Sequence, residues 1–244
     1  KGPAATHAIE FGTTSPTTMT VRGLTSTGYN ATDEQNDSFF HVKRTTGNVT
    51  INVIGGTGNF SVKSAGADVT VVLDPVTTLI NVKDNNAANL QNARVRVEAG
   101  DGAGDLPFEE SVTITHVTTT ATATHTGHGF AVGDKFIIRG ADQLPYNGIH
   151  TVVTAADANT YTYTMASDPG ANATGTITST GVVVEGLTDG NGNVSASAAF
   201  SVDQAVRGTV RKSSASPFFK PVAFTDTVDN VNGLTKSVQM VLDE

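Results

Sequence analysis

The chain has 244 residues, a net charge of −8 and a sequence pI near 5.1, a balance that argues against a nucleic-acid partner held by phosphate neutralisation. It contains no cysteine, which excludes disulfides and thiolate metal sites, and no apolar run approaches the roughly 20 residues of a membrane-spanning helix. With 38% hydrophobic, 6% aromatic and only 16% charged residues, it suits two or three small β modules coated in hydroxyls and amides better than one thick core.

The chain begins at Lys1 rather than Met and shows no leader-like segment, so either a leader has been removed or, the reading favoured by the mid-domain character of its first residues, it is a piece of a longer polypeptide. Strands are predicted at Thr17–Val21, Phe39–Lys43, Val49–Ile54, Phe60–Lys63 and Val69–Leu73, as β-branched or alternating runs punctuated by Gly, Asn and Asp. From Thr46 to Val76 these short strands recur about every ten residues across small-residue corners, a rhythm that fits a parallel β-helix coil and also permits a β-meander. Gly55–Gly58 is glycine-rich, but no Gly-Lys-Ser/Thr follows, which argues against a phosphate loop.

After Pro75 the character changes. Strands at Leu79–Lys83 and Arg94–Glu98 flank Asp84–Gln91, a stretch too short and Asn-rich for more than a turn. Further strands follow at Val182–Glu185, Val194–Phe200, Val206–Lys212 and Ser237–Leu242, so a β-sandwich is expected over 77–112 plus 181–244. Between them, 113–180 carries many short Thr-, Val- and Tyr-rich strands with Gly and Asn-Gly turns, the pattern of a small inserted β-barrel. Residues 1–76 form the first module, and the whole chain is expected to be all-β.

Three stretches carry resemblances. His125 to Thr164 resembles a small β-barrel insert of tailed-bacteriophage appendage proteins, and in fold alone a half-domain of ubiquitin-activating enzymes. Leu79–Ala99, Gly186–Phe200 and Gly208–Ser214, with the turn Thr188-Asp-Gly-Asn-Gly192, are similar to the carboxypeptidase-regulatory-like, transthyretin-like sandwich. Phe11–Val72 resembles the last coils of pectate-lyase-like β-helices in phage tail proteins. The order of the three resembles a structural protein of a tailed phage, and none of the three modules implies a catalytic motif.

Metal candidates are His125 and His128, with His116 and Asp134 nearby, since imidazole and carboxylate suit Zn or Ni. The alternative is a turn with solvated rings. Asp189 and Asn191 offer oxygens to Ca²⁺, as do Asp84–Asn86 and Asp101–Asp105. Such Asp/Asn/Gly turns also stand without an ion, and no EF-hand glutamate follows. Adjacent Glu109 and Glu110 point to opposite faces of a strand and are poor glycosidase partners. Binding candidates are Phe218 and Phe219 beside Pro217, with one Phe plugging the sandwich core as the favoured alternative, and Tyr161 and Tyr163, two apart on one strand face, which either pack the barrel or form an exposed stripe. The basic residues, Arg94 and Arg96, then Arg207, Arg211 and Lys212, read as scattered.

The expectation is therefore a non-enzymatic structural protein on a virion surface or otherwise extracellular, building a fibre, spike or capsid decoration. No cofactor, nucleic acid or membrane insertion is expected. The expected partners are copies of itself, as a trimer, and other virion proteins, with a host-surface glycan as a further partner. The alternatives are a carbohydrate-binding adhesin or the non-catalytic C-terminal part of a polysaccharide-degrading tailspike.

Overall fold

The computed structural model describes residues 6–54, 58–212 and 216–243. Strands hold 53% of the described residues and helix 1%, so the protein is all-β. The chain divides into two compact units between Pro75 and Val76.

In the first unit, β1 (Ile9–Phe11), β3 (Phe40–Val42) and β5 (Val62–Ser64) form one sheet, while β2 (Thr18–Arg22), β4 (Asn48–Ile54) and β6 (Asp68–Leu73) form another. Every pairing is parallel. Ile9 lies beside Phe40 and Phe40 beside Val62; Met19 lies beside Ile51 and Ile51 beside Val71. Consecutive strands thus alternate between two sheets and each coil stacks on the one before. A meander would instead pair sequential strands antiparallel. Alternation along β4 turns Val49, Ile51 and Val53 into a core shared with Phe39, Phe40 and Phe60. Phe39 meets Phe60 edge-on at 5.0 Å between ring centres. Gly55–Thr57, most of the glycine-rich corner, lie outside the described residues.

The second unit contains two cores joined by one strand. A three-stranded sheet, β17 (Asn193–Ala198), β7 (Val76–Lys83) and β20 (Leu234–Gln239), packs across a core against β8 (Arg94–Ala99), β18 (Gln204–Lys212) and β19 (Phe219–Val228). Val95 and Val97 of β8, Val206 and Val210 of β18, and Ile80 and Val82 of β7 fill this sandwich.

The residues between form a closed ring of pairing. The strand β16 (Gly175–Leu187) pairs with β9 (Glu110–Ser111), which runs through Val112 into β10 (Thr113–Val117). From there the order is β10, β11 (Thr120–Thr124), β15 (Thr160–Thr164) and β14 (Thr154–Asp157). Back through the bend at Val152 come β13 (Gly148–Thr151), then β12 (Lys135–Ala141), which pairs with β16 and completes the circle. Phe130, Phe136, Ile138, Tyr161 and Tyr163 fill it.

β16 belongs to both cores. Its first half lines the barrel, and its second half pairs with β8 of the sandwich. Val182 is the crossing point, with Lys135 of β12 on one side and Glu98 of β8 on the other. The boundary expected at 180/181 therefore falls inside a continuous strand, because its β-branched run extends through both modules without a Gly-Asn or Pro break.

Candidate functional site

The side chains with the most concentrated charge lie on the face of β8 and β18 turned away from the sandwich core. Period-2 alternation puts them there. On β8, Val95 and Val97 point inward, so Arg94, Arg96 and Glu98 point outward. On β18, Val206 and Val210 point inward, so Arg207, Thr209 and Arg211 point outward. The antiparallel register sets Arg207 beside Glu98, Thr209 beside Arg96 and Arg211 beside Arg94. β12 of the barrel adds Arg139. Five of the chain's seven arginines thus share one surface.

Glu98 is the centre, only 4% exposed. Arg139 Nη2 donates to its Oε1 at 2.5 Å, and Arg207 Nη2 donates to its Oε2 at 3.1 Å. Arg96 Nε lies 2.7 Å from Oε1, close enough for attraction but without the alignment of a hydrogen bond. Arg207 also donates to Glu109 at 2.7 Å, and its guanidinium lies 4.7 Å from the centre of the Phe108 ring. Burial works against the charge on Arg207, but the two glutamates outweigh it and raise its pKa. Further along, Arg94 and Lys135 both approach Glu185, at 3.4 and 3.7 Å.

These residues line a groove of about 600 Å³ that includes Gly208, Thr209, Ala223, Phe224 and Thr225. A smaller recess, bounded by Arg94, Ile149, Glu185 and Arg211, continues it through the shared Arg96 and Thr209. Gly208 and its register partner Phe224 point the other way, into the sandwich, where a Cβ on Gly208 would lie 2.1 Å from Phe224 Cζ. Guanidinium groups stay protonated across the physiological range, so the groove is suited to holding charge in place.

The sequence candidates occupy other places. His128 is 2% exposed, its Nε2 donates to Asp157 O and its Nδ1 accepts from the Phe130 N–H, so both ring nitrogens are committed to the backbone. His125, equally buried, donates from Nε2 to Glu110 at 3.1 Å. These rings belong to the barrel wall and are not solvated. Asp134 Oδ2 accepts from the Ala131 N–H, and burial raises its pKa despite that bond. His116 sits apart, against Tyr146, Asn172 and Asp168. Among the described residues no three His, Asp or Glu side chains converge on a common point.

Asp189 Oδ1 accepts from the N–H groups of Asn191 and Asn193, which shapes the turn from within. Asp84 does the same with Asn86 and Ala88. Glu109 and Glu110 go to different partners, Arg207 and His125. Tyr161 and Tyr163 are wholly buried in the barrel, so neither can touch a partner. Phe219 is 4% exposed and plugs the sandwich, while Phe218 is 48% exposed. Ser213–Ala215, in the same loop, lie outside the described residues.

The arginine groove is the correction that matters most. Basic residues far apart in sequence converge once β8 and β18 pair. Its signal was present as Arg-Val-Arg-Val-Glu and Arg-Gly-Thr-Val-Arg, two runs that each place charge on one face. No protein-family model matches the chain, and no curated protein does.

Proposed function

We propose that the chain is a structural component of a tailed-phage appendage, a fibre, spike or capsid decoration displayed on the virion surface. The observation that carries this reading is β16, which makes barrel and sandwich one stiff body, as a component that transmits contact without chemistry requires. The stacked parallel coils of the first unit and the resemblances along the sequence support the same role. Assembly as a homotrimer with other virion proteins follows from it as part of the proposal. Sedimentation across a concentration series should give a trimer, and gold-labelled antibody should decorate intact particles. A monomer at every concentration together with unlabelled particles would overturn it.

A second reading, a carbohydrate-binding adhesin, is favoured by the groove, which offers hydroxyls and guanidinium forks on one accessible face. A glycan array probed with the full chain tests it, and no binding to any glycan counts against it.

A further inference from the structure

We infer that the arginine groove is a binding site for an acidic saccharide, a short glycan whose rings carry carboxylates. The inference refines the glycan-binding reading and rests on it, independently of the appendage assignment.

The charge balance is the first argument. A cluster built only to neutralise a buried carboxylate would come close to electroneutrality, since unmatched charge in a half-buried setting is costly. Here five arginines line the groove and its recess, with Lys135 beside them, against three carboxylates, Glu98, Glu109 and Glu185. Arg211 is exposed and forms no ion pair among the described residues. Arg139 Nη1 is buried and lacks a hydrogen-bond partner among the described residues, although Nη2 of the same group is bound to Glu98. Glu98 thus acts as a fixed strut that orients guanidinium forks whose remaining donors are unspent. Arginine forks match the two oxygens of a carboxylate in geometry as well as charge.

The second argument is shape. The groove lies on a sheet face, so a peptide cannot join it by adding a strand to an edge. Its volume of about 600 Å³ is that of a small-ligand cleft, enough for two or three sugar rings. Thr209 and Thr225 offer hydroxyls, and the exposed Ala223 offers a small apolar surface beside them. A long, densely charged polymer such as nucleic acid would meet the acidic remainder of a chain that carries −8 overall. One carboxylate per ring suits the groove without that repulsion.

The test uses titration calorimetry on the whole chain with three probes: trigalacturonate, the neutral trisaccharide maltotriose, and inorganic phosphate. Trigalacturonate should bind roughly tenfold or more tightly than either of the others, and its affinity should fall as salt rises. Arg211→Glu and Thr209→Glu, both at exposed positions outside the Glu98 contacts, should each weaken trigalacturonate by about tenfold or more while leaving the melting temperature near that of the parent. Should one variant fail to fold, the other and the salt dependence of the parent still decide. Equal binding of maltotriose keeps a glycan site but removes the role of the arginines. Equal binding of phosphate removes the saccharide. Tighter binding of a single-stranded oligonucleotide, or unchanged affinity in the folded variants, also overturns the inference.

Discussion

Glu98 is anchored by three arginines from three strands, so its loss would be felt in both cores of the second unit. Glu98→Gln keeps the shape but removes the charge, leaving Arg96, Arg139 and Arg207 to repel one another. Removing one partner of a buried ion pair generally costs 3–5 kcal/mol, and the arginine heads are about a third exposed, so a loss of about 2 kcal/mol is expected in a urea melt. Gly208 tests the packing on the sandwich side of β18, beneath the groove. Gly208→Ala forces the Phe224 ring aside and should cost about 1–3 kcal/mol, as overpacking does. In the Phe224→Ala background the same change should cost much less. Additive costs in that double-mutant cycle would show that the two residues do not meet.

At the scale of elements, Asp226 of β19 and Lys236 of β20 pin one sheet of the sandwich to the other at 2.7 Å. Lys236, and then the Thr227 N–H, hold the Asp226 carboxyl below the usual aspartate range. A pKa lowered by folding means that the ionised form favours the native state. The contribution is full above the ordinary aspartate value and is lost as pH falls through the lower, folded one. Asp226→Asn should therefore lower the melting temperature near neutral pH and leave it little changed in strong acid; an equal shift at both pH values would rule out the ion pair as its cause. β16 makes a sharper case. Thr180 is wholly buried in its middle, opposite Ile137, and its hydroxyl accepts from the Glu109 N–H. Thr180→Pro removes ladder bonding and should cost about 3 kcal/mol or more, with hydrogen exchange rising on both β12 and β8. A rise confined to the barrel would contradict the sharing of the strand. These elements were largely legible beforehand, because β-branched alternation marks a strand locally. β4, β8 and the two tyrosines of β15 lie where the pattern put strands. Which strands pair was not legible, since Arg94 and Arg211 meet only through long-range register. Nor was the burial of His125 and His128, which depends on a barrel closing around them, whereas the two tyrosines on one strand face already pointed to barrel packing as one of two options.

For the whole molecule, each unit has its own core, so a chain cut between Pro75 and Val76 should leave residues 76–244 able to fold. Calorimetry of that piece should show barrel and sandwich melting in one transition. Two separated transitions would mean that β16 does not couple them. The same strand has a mechanical consequence. Domains strung on flexible linkers absorb a pull by straightening the linker first. Here a tug on the barrel enters β16 and reaches β8 at Val182, with no slack to take up. The pair should behave as a lever without a hinge, resisting tension to a single rupture, so that whatever the arginine groove grips is held at a fixed distance and angle from the sandwich behind it.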